Sequence, residues 1–147
     1  CDMMNTGYYE LDRLPANCAN AYIYDTQRDE YYTNIYSVDA KGTGAGGAFT
    51  TVLDIEKFWN NLLGGKLISK DMLNEMFTPQ SEEDYGLGMW LKRVDSHKLY
   101  PYFQGSDPGV SFVSLHDLEN SISISIVSNF GDNVWQLRNK LLAEVQA

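Results

Sequence analysis

The run Gly42-Thr43-Gly44-Ala45-Gly46-Gly47 precedes a segment of helical periodicity. Glycines at this spacing let a backbone turn tightly and gather N–H groups around an anion, which a helix N-terminus then favours. Alone, the string fits G-x-G-x-x-G and suggests dinucleotide binding. That chemistry needs a βαβ unit with Val/Ile-rich parallel strands. Here the residues before the glycines are polar and aromatic, and the helix leads to a second helix and then to hairpins. The nucleotide reading fails on context, and no cofactor is expected. His97 and His116, the two histidines, lie in a predicted turn and at a predicted strand end. Both read as surface or hydrogen-bonded residues. Cys1 and Cys18 permit at most one disulfide and read as free or buried thiols. No Cys-x-x-Cys or His-x-x-x-His occurs, so no metal site is expected. There is also no Gly-x-Ser-x-Gly elbow and no Ser-x-x-Lys. No serine is thus flagged as a nucleophile.

Composition narrows the partners. The net charge of −9 disfavours nucleic acid, whose binders cluster Lys and Arg, and disfavours an anionic membrane surface. No apolar run is long enough to insert in a bilayer. No signal peptide is visible, and the opening Cys-Asp-Met-Met suggests a fragment or a processed product. The 147 residues, 44% hydrophobic, suit one domain over 1–147 with a real core.

The elements follow from periodicity. Ala21 to Asp25 and Glu30 to Ile35 are Tyr-rich and flank a polar run, which predicts a hairpin. Thr51 to Leu63 carries Val52, Ile55, Phe58, Trp59 and Leu62 on one stripe, with Thr51 and Asp54 as a variant capping box. Ser69 should cap a shorter helix to Phe77 that Pro79 stops. Tyr85 to Leu91, Leu99 to Phe103, Val110 to His116 and Ser121 to Phe130 read as strands. Their connections are too short for parallel crossovers, so an antiparallel meander is expected. In Ser121 to Ile126, serine and isoleucine alternate. The Ile face belongs to a core; the Ser face suits close approach of a helix or cover by water. A last helix, Val134 to Val145, should pack on the sheet. The fold class is α+β.

Taken in order, the pieces resemble the C-terminal half of the serine β-lactamase and penicillin-binding-protein superfamily, in its class C and esterase-like branch. The matching residues are Met4 with Thr6-Gly7, and Leu14-Pro15-Ala16-Asn17 through Tyr22. Gly44-Ala45-Gly46-Gly47 follows, with Thr50-Thr51, Asp54 and Phe58, then Leu62, Gly65 and Leu67. Next are Tyr85-Gly86-Leu87-Gly88-Met89-Trp90, Gly105 with Pro108-Gly109, and Val127-Ser128-Asn129. The resemblance implies a β-lactamase/transpeptidase-like fold and acyl transfer on β-lactams, cell-wall peptides or esters. It implies a Ser-x-x-Lys serine and a Tyr-x-Asn, both upstream of Cys1 and so outside these residues. Tyr32-Thr33-Asn34 comes too late in the order to be that motif, and Lys41-Gly42-Thr43-Gly44 only nearly matches Lys-Thr-Gly. The third family motif falls at Phe103-Gln104-Gly105, where Phe103 replaces the usual Lys or His.

The resemblance therefore implies a cleft wall at Phe103, Gln104, Gly105 and Ser106, touching a small-molecule or peptide substrate, with no catalytic residue here. The loop Gly44 to Gly47 is a further candidate wall. The chain alone is expected to be inactive. A non-catalytic ligand- or peptidoglycan-binding module is the alternative, as is a structural half that completes a sheet with a partner. Self-association, or pairing with the missing N-terminal half, is expected from the sheet edge such a half would expose. The resemblance implies an extracytoplasmic location.

Overall fold

A computed structural model describes residues 1–146. The early hairpin is β1 (Tyr22–Asp25) paired antiparallel with β2 (Glu30–Thr33), and a short 3₁₀ turn follows at Asn34–Tyr36. Next come α1 (Val52–Leu63) and α2 (Lys70–Met76). A meander of β3 (Trp90–Arg93), β4 (Leu99–Asp107), β5 (Val110–Asp117) and β6 (Ile122–Ser128) leads to α3 (Val134–Val145). The sheet order is β3-β4-β5-β6, antiparallel throughout. The fold is α+β.

The helix starts are set by caps. The Thr51 side chain accepts from the Asp54 N–H at 3.1 Å, and Ser69 accepts from the Met72 N–H at 3.2 Å. The predicted strand from Tyr85 is shorter than expected, because pairing with β4 begins at Trp90. Gly86 lies so close to α2 that a Cβ there would sit 2.1 Å from the Met76 carbonyl oxygen, and Gly88 has φ +75°. Residues 86–88 turn back on the helix, as the Leu87 N–H bond to that carbonyl shows. β4 is longer than expected and runs on to Asp107, because Gln104–Asp107 pairs with β5.

The sheet has two dissimilar faces. One meets α1: Ile55, Trp59, Leu62 and Met89 form a buried cluster against Phe103 and Phe112. The other meets α3 through Tyr100, Leu115, Ile124 and Leu142. The Ser/Ile alternation of β6 divides accordingly. Ile124 is buried on the α3 side, while Ser125 Oγ bonds Ser114 Oγ at 2.7 Å and Ser114 Oγ accepts from Trp59 Nε1 at 2.8 Å. The small serine face lets an indole from α1 reach the sheet and find a hydrogen-bond partner there, which a buried indole N–H requires.

Candidate functional site: the free edge of β4

β3 pairs only with the first part of β4, and the ladder ends at Trp90↔Tyr102. Beyond that point Phe103–Asp107 is bound on one side by β5, through Phe103↔Ser114 to Asp107↔Val110. No strand lies on its other side among the described residues. Half of the backbone polar groups in such a stretch face outward, where they can bond an extended ligand or a polarised carbonyl oxygen.

The four residues singled out in the sequence are consecutive here but differ in surroundings. Phe103 points into the α1 layer, with ring centroids 5.5 Å from Phe58, 5.6 Å from Trp59 and 5.3 Å from Phe112. Its ring is committed to packing. Gln104, Gly105 and Ser106 are exposed. A Cβ at Gly105 would meet nothing within 4 Å. The fold does not require glycine there, and an unforced glycine inside a strand marks a place where another backbone or a ligand can come close.

The far end of this strand is clamped. Gly109 turns β4 into β5 with φ +80°, and a Cβ on it would lie 2.9 Å from the Tyr22 carbonyl oxygen. Asn34 Nδ2 donates to the Pro108 carbonyl at 2.9 Å, and the Tyr22 N–H donates to the Asn129 carbonyl at 2.9 Å. Tyr22 and Tyr31 both pack on Phe130. The early hairpin thus holds the turn beside the open edge. Asn34, the last residue of Tyr32-Thr33-Asn34, serves as this brace.

The glycine loop is a self-contained turn. Thr43 and Gly46 exchange two backbone hydrogen bonds, of 2.8 and 3.1 Å, and a Cβ at Gly42 would lie 2.1 Å from the Gly47 carbonyl oxygen. It is tied to residues 7–10 by the Gly7↔Phe49 and Glu10↔Lys41 bridges. The first turn of α1 is occupied by its own carboxylate. Asp54 is buried and accepts from Lys57 Nζ at 2.8 Å, the Asn5 N–H at 2.8 Å and the Thr6 hydroxyl at 2.9 Å. The Lys57 bond chiefly, helped by those from Asn5 and Thr6, holds this carboxyl below the ordinary carboxylate range despite burial.

His116 is buried, stacks on Trp59 at 5.4 Å and bonds Ser123 Oγ through Nδ1 at 2.8 Å. Burial pushes its pKa down, and neighbouring Asp117 only partly offsets this. His97 is in an exposed turn whose backbone N–H donates to Asp95 at 2.7 Å. Cys1 and Cys18 are free. Among the described residues no three His, Cys, Asp or Glu side chains gather to hold a metal. Two cavities, of about 370 and 240 Å³, lie elsewhere, near Tyr100 and between β3 and α3, and neither is lined by Phe103–Asp107.

Comparison with known proteins bears on this arrangement. No family model matches the chain. A Bacillus subtilis protein named as the penicillin-binding protein PbpX is 28% identical over 86% of this chain and 37% of its own length. The crystal structure of a penicillin-binding protein from Bacillus halodurans superposes with a TM-score of 0.89 at 29% identity, covering 96% of this chain and 44% of that one. The chain is related to the penicillin-binding proteins of the serine β-lactamase superfamily over part of their length. A D-stereospecific amidohydrolase from Streptomyces shares the fold, with a TM-score of 0.60 at 24% identity over 81% of this chain and 38% of that one. The chain spans less than half the length of each of these relatives.

Gly105 and Pro108-Gly109 were what marked this strand as the candidate in the sequence. The polar layer beneath, Trp59–Ser114–Ser125 and His116–Ser123, was not expected from the sequence. The serine alternation of β6 was that layer's trace in the sequence.

Proposed function

We propose that this chain forms one wall of an acyl-transfer cleft, with the nucleophile supplied by polypeptide outside these residues. The observation that carries this is the one-sided pairing of Phe103–Asp107 beside an exposed glycine the fold does not need. An extended cell-wall peptide, a β-lactam or an ester would lie along this edge and bond its outward backbone groups, while Gln104 and Ser106 flank it. Kinship with penicillin-binding proteins supports this substrate class and, with it, an extracytoplasmic location, where such peptides occur.

Phe103 favours a second reading. A Lys or His at this position would bring charge or a proton to the cleft; a half-buried phenyl ring packed against Phe58, Trp59 and Phe112 brings neither. A ligand-holding module without catalysis uses the same edge and needs no such group.

Fluorescent penicillin separates these outcomes. The chain alone should form no covalent adduct and cleave no ester. Joined to a segment bearing Ser-x-x-Lys and Tyr-x-Asn, it should label if the cleft is catalytic, and bind reversibly without labelling if it is a binding module. An adduct on the isolated chain would show that the nucleophile lies within these residues and end the proposal.

A further inference from the structure

Two cations gather where β3 and β4 meet α3, and no carboxylate answers them. Arg138 is the one Lys or Arg that is buried among the described residues, at 6% exposure. Its guanidinium carbon lies 5.1 Å from the centre of the Tyr102 ring, and its Nε donates to Asn139 Oδ1 at 2.9 Å. Its Nη1 is buried with no hydrogen-bond partner among the described residues. Lys92 stands on the same layer, since its partner across the ladder is Tyr100, which packs with Tyr102 and Leu142 under α3. Burial, and then the nearby Arg138 charge, push the Lys92 ammonium below its usual range. Neither cation belongs to an ion pair among the described residues.

Acids outnumber bases in this chain by 20 to 11, so cations left without one call for a cause. A buried cation is normally paired, because an unpaired one gives up its hydration without return. The Tyr102 face offsets part of that loss but leaves the Nη1 hydrogens unbonded. One turn earlier, on the same face of α3, Trp135 Nε1 is also buried without an acceptor. Arg93, the next cation along β3, is already taken by Asp84. Beside Lys92 lies the cavity of about 240 Å³, lined also by Asn139, Leu142 and Gln146. Asn139 links it to Arg138, because the residue that lines the cavity also takes the Nε–H. Both walls, β3 and α3, belong to the described residues, and they already cover Arg138. An acceptor for Nη1 therefore has to be small enough to enter between them.

We propose that this crevice binds a phosphate group, free or carried as a monoester, between Lys92 and Arg138. A doubly charged oxyanion balances both cations, where a carboxylate balances one. Its oxygens accept from the planar guanidinium and from the mobile ammonium together, and such charge-assisted bonds are the strong ones. The Asn139 and Gln146 amides add neutral donors at the rim. None of Phe103–Asp107 lines this cavity, so the site stands or falls independently of the open β4 edge.

Chemical-shift mapping of backbone and arginine N–H groups on the isotope-labelled whole chain tests this. Inorganic phosphate, methyl phosphate and acetate are titrated at constant ionic strength. We expect saturable shifts at Lys92–Val94 and Arg138–Leu142 with both phosphates, and acetate bound at least about tenfold more weakly. Tighter binding of methyl phosphate identifies a monoester as the ligand, and tighter binding of inorganic phosphate identifies the free ion. Lys92→Gln should weaken phosphate about tenfold, and Arg138→Gln should abolish the shifts. Lys92 is only half-buried, so its variant carries the test if Arg138→Gln fails to fold. Lys140→Gln removes the same charge from an exposed position on α3 and should change the dissociation constant by less than about twofold. Shifts that do not saturate, acetate bound as tightly as phosphate, or an equal loss with Lys140→Gln would overturn the proposal.

Discussion

Residues 1–51 and 52–146 are held by different forces. No residue before Asp54 is buried. After it come Trp59, Tyr100, Val113 and Leu115, all at 2% exposure or less. The later region makes its own core by covering the two faces of one sheet. The earlier one is draped over that core and tied by directed contacts, from Asn5 and Thr6 to Asp54 and from Asn34 to Pro108. Burial scales with area and is hard to undo with one substitution; a tether is a few atoms and can be cut singly. The open edge of β4 lies where the two regions meet, since its closing turn is clamped by β1 and β2.

The largest effect should come from the core. Trp59→Ala leaves a cavity under the sheet and strips Ser114 of its donor; urea unfolding should show a loss of about 3–5 kcal/mol, with both regions melting together. A smaller loss would mean that α1 can collapse onto the serine face of β6. Gly109→Ala acts at the junction. The positive φ and the nearby Tyr22 backbone both resist a methyl group, and a cost of about 1–2 kcal/mol is expected, with faster amide exchange in Tyr22–Asp25. Unchanged exchange there would mean that the hairpin is not held by this turn.

Acid should separate the regions by pH. Burial keeps His116 neutral, with its folded pKa below the unfolded value. Its contribution is complete above about pH 6.5 and is lost as pH falls from there toward the folded value, because the unfolded chain takes up the proton first. The Asp54 carboxylate is also held low, so its tether is complete above about pH 4 and is lost only as pH falls through its lower folded value. Global stability should therefore begin to decline before residues 1–10 loosen, which amide exchange at a series of pH values can follow. Loosening of 1–10 above about pH 5 would contradict the role given to Asp54. The smallest stability effect is expected at the site. Gly105→Val adds a β-branched residue to a strand in open space, and the melting curve should move by no more than about 0.5 kcal/mol.

The sequence was most informative where local rules act alone. Thr51 and Ser69 mark the helix starts because a cap is a contact within one turn. The Ile/Ser alternation of β6 marks both faces because side chains alternate along any strand. It was least informative where the cause is distant. Gly86 ends a would-be strand because the Met76 carbonyl is beside it, a fact of tertiary packing. Gln104–Asp107 has no apolar pattern, so nothing local extends β4; its pairing with β5 does. Ser114 and His116 look like surface residues by type and are buried because Trp59 and Ser123 satisfy or cover them. At the candidate site, Gly105 and Pro108-Gly109 were legible through their glycines, while the packing of Phe103 against the core depends on three rings from other elements.

The most direct test of the open β4 edge is amide chemical-shift mapping on the isotope-labelled chain, titrated with an extended cell-wall peptide and repeated with Gly105→Val. We expect shifts concentrated on Phe103–Asp107 in the wild type and lost in the folded variant. Shifts centred on the cavities near Tyr100 and α3, or a full response retained with valine at position 105, would contradict the assignment of this edge as the ligand-facing wall.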